Sequence, residues 1–155
     1  MTVSSEAAKE TAARQAWMAV LARATPAELE TALVHLSDLP AYVRLRGPET
    51  GLVMARGRAG GNGQVFNLGE VTVTRATIRL ESGEIGQAYV QGRHHRGAEL
   101  AAFFDALLQT AKWSAPVDRQ VIEPVIRRLA AAKAAREAKV AATKVDFFTM
   151  VRGED

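Results

Sequence analysis

Apolar side chains in the first part of the chain return at steps of three and four residues. Ala13, Trp17, Val20, Leu21 and Ala24 share one stripe with no Gly or Pro between them, which predicts an amphipathic helix over 6–24 with Trp17 in its buried face. Thr25-Pro26-Ala27-Glu28 follows. The threonine oxygen suits an early backbone NH, Glu28 reaches back, and proline is preset for a first helical position, so a second helix starts here. It should run to about residue 36, burying Leu29, Leu33 and Leu36, and stop before Pro40. His35 lies beside that stripe without an acidic or histidine partner at helical spacing, and reads as a packed or surface residue.

From residue 41 the period changes to two. Four strand-like runs follow, over 42–46, 51–58, 65–80 and 85–93, separated by turn residues and predicting an antiparallel meander. Gly60-Gly61-Asn62-Gly63 supplies the positive φ angles of a hairpin tip, and Ser82-Gly83 does so before the last strand. In the third run Val71 and Val73 share one face while Ala76, Ile78 and Leu80 share the other. That phase change predicts a bulge or break near Thr74 and Arg75, because a one-residue slip turns the apolar set over.

Helical spacing resumes over 97–112, where Leu100, Phe103, Phe104, Leu107 and Leu108 form a broad apolar face that covers one side of the sheet. After a loop over 113–116, the stretch 118–143 is rich in Ala, Arg and Lys. Its apolar residues, Val121, Ile122, Val125, Ile126 and Leu129, crowd the beginning. Later it offers mostly alanine, so it reads as an extended arm or a helix resting on another subunit, with Pro124 kinking it or opening a separate helix. The fold class is therefore α+β in two layers: a four-stranded antiparallel meander flanked by helices, with a C-terminal helical arm and an apolar tail. A flexible leader over 1–10 precedes a core domain over 11–117, and arm and tail occupy 118–155.

Composition narrows the function classes. A chain of 155 residues, 48% apolar and 24% charged, has the size and make-up of one globular domain. It contains no cysteine, which removes disulfides, thiolate metal sites and a cysteine nucleophile. No apolar run approaches the roughly 20 residues of a bilayer span, and the first residues lack the basic start of a signal peptide, so a cytoplasmic location is expected. The net charge of +3 hides blocks: 1–40 and 97–118 are net negative, 41–96 and 119–155 net positive. Such fields draw phosphates, nucleic acid or an acidic protein face, or only face water.

Candidate chemistry is sparse. The Gly60–Gly63 run could cradle phosphate, but it lacks a following Lys-Ser/Thr and leads into a strand. Arg44, Arg46, Arg56, Arg58, Arg75 and Arg79 recur at alternate strand positions, so some must project together, as a triphosphate or acidic partner would require and as plain solvation and cross-strand ion pairs equally allow. His94 and His95 are adjacent and diverge on a strand, a poor chelating pair. General acid–base use of either is open, yet no nucleophile or carboxylate stands at a diagnostic spacing. No catalytic residue, metal ligand or bound cofactor is assigned. The tail, Val145 to Asp155, places large apolar side chains where termini are normally polar, so it folds back or docks on another chain.

Five stretches carry a resemblance. Val145-Asp146-Phe147-Phe148-Thr149-Met150-Val151-Arg152-Gly153 closes the chain. Arg14-Gln15-Ala16-Trp17-Met18-Ala19-Val20-Leu21-Ala22 lies in the first helix, Glu49-Thr50-Gly51-Leu52-Val53 enters the second strand, Gly69-Glu70-Val71-Thr72-Val73-Thr74-Arg75-Ala76 lies in the third, and Gln91-Gly92-Arg93 precedes the third long helix. Over about residues 11–154 the sequence resembles the PhnG family of the bacterial carbon–phosphorus lyase system. The resemblance implies an accessory subunit of a multiprotein assembly that makes α-D-ribose 1-methylphosphonate 5-triphosphate from ATP and methylphosphonate, releasing adenine, with glycosidic cleavage credited to a larger partner. ATP is then a substrate of the complex, and this chain binds no cofactor. Within that frame Asp146, Phe147, Phe148, Met150 and Arg152 are expected to dock on a partner subunit, and Arg75 and Arg93 to contact the substrate's triphosphate. A free-standing nucleic-acid-binding module is the alternative, suggested by the basic pI of about 9.6. Against it, no aromatic but Tyr89 interleaves with the strand arginines.

Overall fold

A computed structural model describes residues 3–60 and 62–143. In chain order the elements are α1 (Val3–Leu21), α2 (Pro26–Val34), β1 (Tyr42–Arg58), β2 (Val65–Leu80), β3 (Ile85–Gln91), α3 (His95–Leu108), α4 (Ala111–Val117), a π-helical turn (Asp118–Ile122) and α5 (Glu123–Ala142). The architecture is α+β, with an antiparallel sheet of three strands in the order β1-β2-β3. The four expected strands are three, because the runs 42–46 and 51–58 form one strand. Gly47 and Pro48 do not end it: β1 is an edge strand, where proline's missing NH costs no ladder bond, and a register shift between Arg46 and Glu49 absorbs the irregularity.

Alternation in β2 and β3 sets the layers. Thr74, Ala76, Ile78 and Leu80 of β2, with Ala88 and Val90 of β3, are buried on one face beneath α3. β2 runs without a break through Thr74 and Arg75, which pair with Val90 and Tyr89; the irregularity expected there lies on the facing strand, where the register shifts between Arg46↔Thr77 and Glu49↔Arg75. Val71 and Val73 lie on the opposite face of a continuous strand, and the irregularities sit at Arg44/Arg46, Arg46/Glu49 and Ala55/Arg56. The phase of the apolar residues changed because β2 meets two different surroundings along its length, not because its pleat slips.

Small residues let α3 seat directly on the sheet. Gly97, Ala98, Ala101, Ala102 and Ala106 are buried along it, and a Cβ at Gly86 would collide with the carbonyl oxygen of Ala102 and come within 2.8 Å of the Ala106 nitrogen. Asp105 is fully buried and ties three elements together. It accepts from Arg14 Nε at 3.2 Å and Nη2 at 2.8 Å, from Trp17 Nε1 at 2.8 Å, and from the Gln87 backbone NH at 2.9 Å. Trp17 packs against the core partly buried.

The capping box opening α2 is present, with the Thr25 NH donating to Glu28 Oε2 at 2.7 Å and the Glu28 NH to Thr25 Oγ1 at 3.3 Å. α2 ends at Val34, two residues short of expectation. Helix α1 starts at Val3, inside the stretch read as a leader, and ends at Leu21. Residues 113–116, expected as a loop, belong to α4: Thr110 caps it by accepting from the Trp113 NH at 3.2 Å, and burial of Trp113 and Val117 offsets Pro116 inside the helix. The π-helical turn, where the Glu123 NH reaches the Asp118 carbonyl, then accommodates Pro124 at the start of α5. Val121, Ile122 and Val125 join the core, and every described residue from Ala130 onward is exposed.

Candidate functional site

The six strand arginines do not form one surface. Arg44 and Arg46, two apart, point to opposite sides because of the shift between them. Arg44 lies on the helical side and donates through Nε to Glu99 Oε1 at 2.7 Å. Arg46 and Arg75 lie on the open side and share Glu49, at 3.2 and 2.7 Å. Arg79 lies on that side, opposite Val43 and Ile85, whereas Arg56 and Arg58 sit near the hairpin tip. The open face thus carries a row of Glu49, Arg75 and Tyr89, with Arg46, Thr77 and Gln87 on one side of it and Gly51, Val73 and Gln91 on the other.

Arg75 stands on the open face of β2, whereas Arg93 lies beyond the end of β3. Arg75 is cross-strand from Tyr89, and the last rung of β3 is Val73↔Gln91, so Arg93 follows two residues past the final paired position. Arg93 is exposed and meets no carboxylate among the described residues; its neighbour Arg96 pairs with Glu30 at 3.4 Å. The expected docking residues Asp146, Phe147, Phe148, Met150 and Arg152 lie outside the described residues.

A polar constellation that spacing alone did not disclose joins β1, β2 and the start of α3. Thr50 Oγ1 lies 2.9 Å from His95 Nε2 and 3.2 Å from Thr74 Oγ1. Buried Thr74 donates to the Gly92 carbonyl at 2.7 Å. Each hydroxyl has one proton, so this bond fixes the rest: Thr74 accepts from Thr50, and Thr50 accepts from a protonated His95 Nε2. In that arrangement His95 is a donor and cannot serve as the base that activates Thr50. The chain of bonds pins the end of β3 and the entry to α3. The cross-strand pairing Thr50↔Thr74 could have been anticipated only with the register of β1, which the Gly47-Pro48 irregularity conceals.

Beside it, Glu99 accepts from the Tyr42 hydroxyl at 2.6 Å as well as from Arg44. Burial pushes its pKa up, and the Arg44 and Tyr42 bonds outweigh that, holding the carboxyl below its ordinary value. Glu28 is held low in the same way, with Arg128 and Thr25 prevailing over burial. The Tyr42 hydroxyl is raised by burial and by its bond to Glu99. All these groups are partnered, and every buried side-chain polar atom among the described residues has a hydrogen bond. Among the described residues no three His, Asp or Glu side chains converge as a metal site would require. No described helix is long and apolar enough to cross a membrane.

The described residues thus form a small α+β domain whose buried polar groups are all hydrogen-bonded, with a sheet open on one side and a long exposed hairpin. Residues 12–153 match the family described as "Phosphonate metabolism protein PhnG". A protein of Rhizobium meliloti (strain 1021), "Alpha-D-ribose 1-methylphosphonate 5-triphosphate synthase subunit PhnG", is 51% identical over 144 residues, covering 93% of this chain and 92% of the relative. The chain belongs to the PhnG family of phosphonate metabolism.

Proposed function

We propose that this chain is an accessory, cytoplasmic subunit of the assembly that joins methylphosphonate to the 5-triphosphoribosyl group of ATP. A phosphonate oxygen takes the place of adenine at the ribose C1′, and adenine departs. The observation that carries this reading is the near full-length likeness to a relative named as a subunit of that synthase. The site geometry agrees with an accessory role, because among the described residues the Thr50–His95 pair is polarised against nucleophilic use. The nucleic-acid alternative gains nothing from the sheet, whose arginines are divided between two faces and partly neutralised by Glu49 and Glu99.

Within this reading the tail over 145–155 docks on a partner subunit, through Phe147, Phe148 and Met150 as apolar anchors and Asp146 and Arg152 as flanking charges. Arg75 and Arg93 supply positive charge to the triphosphate. Arg93 meets no carboxylate among the described residues, whereas Arg75 must exchange Glu49 for a phosphate oxygen. Co-expression with the other synthase subunits tests both parts. Deletion of 145–155 is expected to abolish co-purification while the domain still melts cooperatively, and retained assembly refutes tail docking. Arg75→Ala and Arg93→Ala are expected to lower turnover with subunit stoichiometry unchanged; full turnover removes the substrate contact.

A further inference from the structure

Strand β3 pairs only with residues 73–79 of β2. Beyond that point β1 and β2 continue alone, with Gly51↔Val73 the last shared rung and Arg58↔Val65 the final pair. The eight residues 65–72 thus carry a two-stranded ribbon roughly 25 Å past the sheet. At its tip Gly60 adopts a φ of +59°.

An isolated two-stranded ribbon is marginal in water unless an apolar face is covered, and this one is apolar on both sides. Leu52 and Met54, opposite Thr72 and Glu70, are 60% and 50% exposed on the side continuous with the buried face. Val53, opposite Val71, lies on the other side. Phe66, opposite Gly57, and Leu68 join it there, 45% and 63% exposed; Leu68 fills the space above Gly57, its Cδ1 only 2.7 Å from where a Cβ would stand. With Val65, also exposed, these residues leave uncovered apolar side chains on both faces of the ribbon, and clusters of that kind mark interaction sites. The charges are one-sided as well. Arg56 and Arg58 lie at the tip end, and the nearest polar partner of Arg58 is the Gly63 carbonyl at 3.3 Å. Among the described residues neither arginine has a carboxylate within ion-pair distance, and Glu70 is the ribbon's one acid.

We infer that this ribbon is a blade that inserts into a cleft of another subunit of the assembly, with apolar walls against both faces and carboxylates meeting Arg56 and Arg58. This rests on the subunit reading above and adds a docking element separate from the tail. A flat partner would cover one face and leave either Leu52 and Met54 or Phe66 and Leu68 in water. A cleft covers both, and acidic groups in it satisfy the two arginines at the depth the tip reaches.

The test uses the full chain co-expressed with the other synthase subunits and, separately, in isolation. Leu52→Asp/Met54→Asp, Phe66→Asp/Leu68→Asp and Arg56→Glu/Arg58→Glu are each expected to weaken assembly at least tenfold. The arginine pair should also reduce its salt dependence. Because these side chains are exposed, the isolated variants are expected to melt within a few degrees of the parent. If an apolar pair unfolds the chain, Leu52→Ser and Phe66→Ser take its place. Assembly within threefold of the parent for either face overturns the blade, as does parent binding to a single-stranded oligonucleotide that Arg56→Glu/Arg58→Glu abolishes while assembly persists. Failure of the parent itself to co-purify overturns the subunit reading, and the blade with it. Intact parent assembly with indifferent ribbon variants overturns only the blade.

Discussion

Replacement of Asp105 by alanine should cost more stability than any single change on the sheet's open side. The carboxylate is wholly buried and holds four donor contacts from three residues, two from Arg14 and one each from Trp17 and the Gln87 backbone. Its loss leaves the Gln87 NH and the Trp17 indole NH without an acceptor, at about 1–3 kcal/mol for each group that stays dry. The Arg14 side chain is 35% exposed, so its guanidinium turns to water and adds less than a fully buried cation would. The expected loss is about 3 kcal/mol, or about 10 °C in Tm for a chain of this size. Urea unfolding followed by circular dichroism and by tryptophan fluorescence measures it, with Trp17 reporting locally. A cycle with Arg14→Ala should show a coupling of about 1–2 kcal/mol. A loss under about 1 kcal/mol, with no coupling, would falsify the claim that Asp105 fastens α1 and β3 to α3.

Two further outcomes follow from the same packing. Gly86→Ala is expected to destabilise by about 3 kcal/mol, because its Cβ meets the α3 backbone at Ala102 and Ala106 and no side-chain rotation relieves that; equilibrium unfolding with a change under about 0.5 kcal/mol would show that α3 shifts freely. Glu99 is ionised more readily in the folded chain than in the unfolded one, so its stabilisation is full above its ordinary pKa of 4.5 and is lost as pH falls below that value toward the folded one. The stability gap between the parent and Glu99→Gln should therefore shrink between pH 6 and pH 3, and a constant gap in urea titrations would refute the Arg44–Glu99–Tyr42 account.

What was legible in the sequence follows the range of the forces. The Thr25 capping box, the α3 face with Phe103 and Phe104, and the weakly apolar run after Leu129 are local patterns, and each is where spacing placed it. Errors arise where a local signal meets a distant partner. Pro48 reads as a strand end, yet it lies on an edge where its missing NH is harmless. Val71 and Val73 read as a slipped register, yet they belong to a stretch of β2 whose far side nothing in the described chain covers. Thr50, Thr74 and His95 carry no spacing signal, because the register of two strands and one helix start brings them together.

The distribution of stability bears on how such a chain works with others. Core contacts run from one face of β2 and β3 through α3 to α1, α2, α4 and the first residues of α5. The open sheet face, the hairpin beyond Val73 and the later part of α5 contribute few buried side chains. Among the described residues the groups that hold the domain, small residues in α3 and the Asp105 contacts, are thus separate from the exposed side chains that the proposed docking would use. That separation explains an apolar ribbon on a chain whose core does not need it. A side chain such as Leu68, 63% exposed above Gly57, is one that the proposed partner cleft would bury.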